Sequence, residues 1–239
     1  MPGVPVDSTN LVVRALNLVR DKTGNADKKF KINLQKECPA QAGLGGGSGN
    51  AATAMWGVNE LLGRPATLSQ LVDWSSELGS DITFFLSKGT AYCTGRGEVM
   101  EDVAVNNGEG KVTIVKIEEG LSTPLVFKNL EYDKLSSMDP IDLLESFKTK
   151  GPFNVPKSSF VNDLQPPAFK CLPRLQALYD DLLKCGFDVV LMSGSGTSIF
   201  CLGEGGGKNW DEIKERGDLK VWETEFVRRK EGGWYDSRV

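Results

Sequence analysis

The sequence predicts an α+β protein of two lobes, on two observations. Helical and strand-like segments alternate along its 239 residues without a strict strand–helix–strand period. A polar, glycine-containing break at 104–111, AVNNGEGK, interrupts the pattern midway and is the expected boundary, with lobes over residues 1–108 and 109–239. A hydrophobic fraction of 40% is enough to build a core.

Taken in order, 9–21 reads as a helix, TNLVVRALNLVRD, with Leu11, Ala15, Leu18 and Val19 on one face and Ser8 or Thr9 as cap. Residues 29–36, KFKINLQK, alternate Phe30, Ile32 and Leu34 with polar neighbours, the pattern of a half-buried strand. A glycine-rich loop then leads into a helix from about Asn50 to Leu62 that Gly63 stops. Thr67 and Gln70 make a capping box for the next helix, whose stripe is Leu68, Leu71, Val72 and Leu78 and which stops near Gly79. The apolar runs 82–86 and 90–93 favour strands, with a helical turn as the alternative at 82–86.

Beyond the break, 111–117, KVTIVKI, reads as a strand, and Asp139-Pro140 opens a helix whose expected buried side is Leu143, Leu144 and Phe147. A helix over 173–185, carried by Leu175, Leu178 and Leu182, closes at Gly186. FDVVLM–SGSG–TSIFCLG reads as a hairpin. A short helix near 209–216 and a strand near 219–227 complete the pattern.

Composition removes several kinds of chemistry. A net charge of −4, from 28 Lys+Arg against 32 Asp+Glu, argues against nucleic acid as a partner. No apolar run approaches the ~18 residues of a membrane span, and the start of the chain does not read as a signal peptide, so a soluble protein without a membrane partner is expected. The five cysteines, 38, 93, 171, 185 and 201, form no CxxC pair and no zinc-type spacing, as expected of reduced thiols in a reducing compartment. There is no histidine, which rules out Ser-His-Asp and Cys-His nucleophiles and an HExxH metal site. Phosphoryl transfer remains, because there a protein mostly positions groups and stabilises charge.

The stretch QAGLGGGSGNAATAMW, 41–56, points the same way. Glycines ahead of a helix expose backbone N–H groups along the positive end of the helix dipole and let phosphate oxygens approach the chain, while Ser48 adds a hydroxyl for phosphate or magnesium. No lysine follows the glycines, so this is not a GxxxxGK(S/T) loop. Gly47, Gly49 and Ala52 fit a GxGxxA dinucleotide pattern, but Gln35 to Gln41 separate them from the preceding strand. A flexible turn without a ligand is the competing role.

PAQAGLGGGSGNAATA, beginning at Pro39, resembles the second motif, P-x-x-x-GLGGGSSNAA, of the GHMP small-molecule kinases. LGSDITFF at 78–85 resembles LG-(A/S)-D-(I/V)-P-F-F, and AYCTGRGE at 91–98 is similar to a plant and algal form, both from the branch that phosphorylates a diphosphocytidyl methylerythritol. VNDLQPPAF at 161–169 resembles that branch's N-D-L-E-P-x-x-F, and MSGSGTSIF at 192–200 the family's third glycine motif, S-G-S-G-(S/T). The resemblance implies a two-lobed fold, with a ribosomal-protein-S5-like N-terminal lobe, incomplete here, and a ferredoxin-like C-terminal lobe. It also implies ATP and Mg2+ as cofactors, a diphosphocytidyl methylerythritol as the small-molecule substrate, and a place in the non-mevalonate route to isoprenoids. In a photosynthetic eukaryote such an enzyme works in the plastid stroma, and elsewhere in the cytoplasm.

Residue roles follow by position. Pro39, Ala40, Gln41 and Ala42 lead into Gly43, Leu44, Gly45, Gly46 and Gly47, and with Ser48, Gly49 and Asn50 they would wrap the ATP phosphates; Ser48 would also face Mg2+. Asn10 and Lys36 match positions bordering the adenine. Asp81 matches the catalytic aspartate, which accepts the proton of the attacking alcohol or holds it in line; read alone, Asp81 would be a helix cap. Thr123 and Phe127 match the substrate-contacting Thr-P-x-x-Phe, with a core role as the alternative for Phe127. Ser193, Gly194, Ser195, Gly196 and Thr197 would close the site from the second lobe, or form a plain hairpin turn.

Departures from the family pattern carry expectations of their own. Gly49 stands where the family has a second serine, and Thr83 where it has proline after the aspartate. The segment P-x-A-K-(I/L)-N-L, whose lysine pairs with the aspartate, and a substrate-contacting D-G-Y-H are not found in the 239 residues. On that pattern a chain without them is expected to phosphorylate its substrate poorly or not at all, and an impaired nucleotide-binding remnant is the alternative function.

Overall fold

The computed structural model describes residues 5–105, 110–227 and 229, so Asn106 to Glu109, the centre of the 104–111 break, lie outside the described residues. The chain forms two compact units. Of the described residues, the first unit holds 5–40, Gly45–Val103, Val227 and Arg229, and the second Gln41–Leu44 and the stretch from Ala104 to Phe226.

In the first unit α1 spans Leu11–Lys22, α2 Gly46–Leu61 and α3 Leu68–Ser75. A 3-10 turn over Ser80–Leu86 follows, and β1 (Ala91–Thr94) pairs antiparallel with β2 (Val99–Asp102). Ala15 and Val19 of α1, Ala51, Ala52, Met55 and Val58 of α2, Leu71 of α3, and Ile82 and Leu86 of the turn make one core. The three alanines are fully buried, and their small side chains let the helices pack closely.

Four expectations change here. The cap of α1 is Asn10, whose side chain accepts from the Val12 amide, because Thr9 is engaged as a donor to Asp7. Residues 29–36 form no strand: among the described residues no neighbouring strand takes up their backbone groups, and only Phe30 of the alternating set packs on the core. Helix α2 starts at Gly46, inside the glycine run and not near Asn50. The apolar run at 82–86 is a 3-10 turn, which buries Ile82, Thr83 and Leu86 on one side and turns Phe84 outward. The capping box at Thr67 and Gln70 is formed.

In the second unit β3 (Val112–Ile117) is followed by α4 (Thr123–Lys128), α5 (Pro140–Lys150), α6 (Gln165–Cys171) and α7 (Pro173–Leu182). Then come β4 (Val189–Met192), β5 (Ser198–Leu202), α8 (Gly207–Glu215) and β6 (Leu219–Thr224). The sheet is antiparallel in the order β4-β5-β3-β6, and the expected hairpin is β4–β5. Val115 and Ile117 of β3, with Val190, Met192, Ile199 and Cys201 beside them, face Leu175, Leu178 and Leu182 of α7 and Trp210 and Ile213 of α8. Val112, Val189 and Leu202 line the other face under Phe153 and Phe160. Cys201 is enclosed so fully that burial pushes its thiol up to about 12. Leu143, Leu144 and Phe147 of α5 are only half-buried, since α5 lies at the margin of the unit. Helices α4 and α6, absent from the sequence expectation, begin at Thr123-Pro124 and Gln165-Pro166, where proline takes the first-turn position that lacks a hydrogen-bond partner anyway.

Replacing Leu71, fully buried in the first core, by Ala is expected to cost about 2–5 kcal/mol, and Thr67→Ala about 1 kcal/mol through loss of the cap. Urea unfolding followed by tryptophan fluorescence should show both as lower midpoints at unchanged slope.

Candidate active site

Within the glycine loop the chain changes unit, Gln41–Leu44 belonging to the second and Gly45 onward to the first. Gly45 caps α2 in the left-handed region, φ 62°, and the Phe85 ring lies 2.5 Å from the place a Cβ would take. At Gly46 a Cβ would stand 2.7 Å from Cys38 Sγ and 3.2 Å from Lys36 Nζ. Gly47 is different: a Cβ there would meet nothing within 4 Å, and its φ is not positive. The fold asks for glycine at 45 and 46 but not at 47. The amides at the start of α2 have no partner within the helix, and the dipole places positive charge beside them.

Lys36 Nζ is buried beside this helix start and has no hydrogen-bond partner among the described residues. A buried ammonium without a partner is costly, so the position suits an incoming acceptor. Lys36 and Asn10 both line a cavity of about 330 Å³ whose other walls include Val6, Val12, Ile32 and Leu34. That size and mixture suit a small organic ligand. Asn10 is less available than its sequence role suggests, because its oxygen takes the Val12 amide and its nitrogen donates to the Pro5 carbonyl.

Asp81 is exposed on the 3-10 turn, whose N-cap is Gly79 with no side-chain cap, so Asp81 caps nothing. The tip of the β1–β2 hairpin lies against it: a Cβ on Gly97 would be 3.6 Å from Asp81 Oδ1. Burial and the Asp81 charge together push the Cys93 thiol above its usual pKa. Thr83, in the place of the family's proline, is fully buried with its hydroxyl 3.0 Å from Ser75 Oγ. At Gly49, where the family has serine, the Phe85 ring would lie 3.2 Å from a Cβ, leaving little room for a side chain.

In the second unit the 193–197 turn is anchored well beyond a plain hairpin. Ser193 Oγ donates to the Gly43 carbonyl at 2.8 Å and the Ser198 amide to the Ala42 carbonyl at 3.1 Å. Ser195 and Thr123 share a hydroxyl–hydroxyl hydrogen bond of 2.7 Å. Gly43 is obligatory, since its φ is +71° and a Cβ would fall 2.1 Å from the Ser193 carbonyl oxygen. Phe127 stands half exposed on α4, at 50%, so it is not core. Asn162 and Gln165, to which the sequence reading assigned no role, hold the same turn. Asn162 Nδ2 donates to the Met192 and Gly194 carbonyls, both at 2.8 Å, and Gln165 Oε1 accepts from the Met192 amide. The signal was the N-D-L run ahead of α6.

Comparison with known proteins bears on this arrangement. Residues 10–89 match the family model for the GHMP kinases N terminal domain, and residues 155–214 match that for GHMP kinases C terminal. The chain is 44% identical over 238 residues to 4-diphosphocytidyl-2-C-methyl-D-erythritol kinase, chloroplastic, of Arabidopsis thaliana, covering 98% of itself and 61% of that protein. It is 43% identical over 236 residues to 4-diphosphocytidyl-2-C-methyl-D-erythritol kinase of Protochlamydia amoebophila, covering 99% of itself and 75% of the relative. Among solved structures, a crystal structure of 4-(cytidine 5'-diphospho)-2C-methyl-D-erythritol kinase superposes with a TM-score of 0.72 at 29% identity, over 92% of this chain and 78% of that one. The chain spans about three fifths of the length of the plant relatives it matches.

Gly47→Ala should leave the fold intact and stabilise it by up to ~1 kcal/mol, as Gly-to-Ala changes do inside helices. Gly43→Ala is expected to lose about 1–3 kcal/mol from backbone conformation alone. Thermal unfolding of the two variants separates these outcomes.

Proposed function

Because this chain belongs to the GHMP kinase family, and within it to the branch of the 4-diphosphocytidyl-2-C-methyl-D-erythritol kinases, we propose that it phosphorylates the 2-hydroxyl of that diphosphocytidyl alcohol with ATP, in the non-mevalonate route to isoprenoid precursors. The observation that carries the reading is Gly47. Among the described residues nothing stands within 4 Å of a Cβ at Gly47, which leaves the bare backbone at the start of α2 open to a ligand that needs it.

Each residue then has a defined task. The backbone N–H groups of Gly46, Gly47 and Ser48 hold the phosphates, and Lys36 gains in the bound nucleotide an acceptor for its buried ammonium. Asn10 shapes the adenine cavity through its packing, its amide being spent on the cap. ATP supplies the phosphoryl group. Among the described residues no cluster of three or more carboxylate or thiol side chains stands ready for a metal. Ser48 would help to hold Mg2+ together with the phosphates, the usual way this ion is bound at phosphate sites. Asp81, exposed and free of a capping role, takes the proton from the substrate hydroxyl. In the second unit Thr123 and Phe127 carry the proposed substrate contacts, with Ser195 fixing the Thr123 hydroxyl. Among the described residues no helix is long and apolar enough to cross a membrane. Placement in the plastid stroma is supported by plant relatives named as chloroplastic. The alternative, an impaired nucleotide-binding remnant, rests on the P-x-A-K-(I/L)-N-L and D-G-Y-H segments not found in the 239 residues, and it is not better supported than the kinase.

The test is ADP release with ATP, Mg2+ and the diphosphocytidyl alcohol. Substrate-dependent release is the result that supports the kinase, and Asp81→Asn should then lower it by about 10²–10⁴-fold, the range of a lost general base, with ATP affinity unchanged. ATP binding without any turnover would replace the kinase by a nucleotide-binding module.

A further inference from the structure

Strand β3 carries one charged residue in an otherwise apolar interior, Lys116, and it is 3% exposed. Its three ammonium protons all have acceptors: the Ile117 carbonyl at 2.7 Å, the Glu119 carbonyl at 3.0 Å and Thr197 Oγ1 at 2.9 Å. Thr197 Oγ1, itself fully buried, donates in turn to the Glu119 carbonyl at 2.7 Å, closing a triangle of three hydrogen bonds. Burial pushes the Lys116 pKa down and the neighbouring Glu119 opposes it, so the ammonium is held by these acceptors at a desolvation cost.

The chain neighbours of the two tethered residues also touch the glycine loop. Gly120, next to Glu119, lies so close to Gln41 that a Cβ would be 2.9 Å from its side-chain oxygen. Ser198, next to Thr197, donates its amide to the Ala42 carbonyl. We propose that Lys116 is a positioning residue for the nucleotide loop, its ammonium clamping the 117–120 segment to the 193–197 turn so that Gly120 and Ser198 set the path of Gln41–Gly43. This rests on the loop being the nucleotide site, as proposed above. Lys116 touches no substrate; it acts through the two turns. A methionine would fill the same space and leave the Ile117 carbonyl and Thr197 Oγ1 without this donor, while the Glu119 carbonyl keeps Thr197 Oγ1 but loses its tie to β3.

The test is amide hydrogen exchange on the whole chain, read by mass spectrometry in Lys116→Met, Thr197→Val and Thr197→Ser beside the wild type. In Lys116→Met, exchange over 41–44 and 193–198 should speed up by about tenfold, the equivalent of one charge-assisted hydrogen bond, while α7 keeps its protection. Thr197→Val, which deletes only the hydroxyl, should move the same peptides, and Thr197→Ser, which restores it, should return them towards wild type. Wild-type exchange over 41–44 in a folded Lys116→Met overturns the proposal, and so does equal behaviour of the Val and Ser variants. Titration with Mg-ATP gives the second readout, an expected loss of about tenfold in affinity for Lys116→Met. A wild-type protein that does not bind Mg-ATP would sink the nucleotide reading, while the exchange data still decide whether Lys116 holds the loop.

Discussion

A run of glycines offers no side chains with which to hold itself, so its carbonyl groups must be held by donors from elsewhere in the chain. In this protein the serines of a distant turn are those donors. Ser193 and Ser198 reach the Gly43 and Ala42 carbonyls, and Asn162 and Gln165 hold the turn that carries the serines. The motif around residue 193 and the motif around residue 43 lie about 150 positions apart in sequence and form one hydrogen-bonded construction. Removing either leaves the other without a reason for its composition.

The glycines of the loop are not equivalent, and the distinction separates fold from function. Gly43 and Gly45 have left-handed backbone and no room for a Cβ, and Gly46 is hemmed in by Cys38 and Lys36. Gly43 and Gly45 are demanded by the backbone itself, and Gly46 by the two side chains packed against it. Among the described residues nothing demands Gly47, and it stands in the first turn of a sixteen-residue helix near a buried ammonium that has no partner among them. A ligand gives both features a cause at once.

Much of the architecture was legible in the residues. The capping box at Thr67, the left-handed Gly186 that ends the 3-10 turn Leu183–Cys185 after α7, and the β4–β5 hairpin came directly from local chemistry. Failures came where tertiary partners decide. An alternating pattern at 29–36 specifies a strand only if another strand lies beside it. The 82–86 run is apolar enough for either structure, and its packing against α2 and α3 selected the turn. Site residues were legible as motifs, but not what they touch. Thr123 and Ser195 gave no sign in sequence of a shared hydrogen bond, and Lys116 looked like one more polar residue in a strand, because a closed triangle of acceptors has no local signature.

The passage of Gln41–Leu44 through the second unit also bears on how the molecule comes apart. Neither unit is a continuous piece of chain, since four residues of one are supplied from inside the span of the other. A single peptide-bond cleavage at Ala104 would therefore not release two independent fragments. The N-terminal piece would carry away the four residues whose carbonyls Ser193 and Ser198 hold, and the C-terminal piece would be left without part of its own unit.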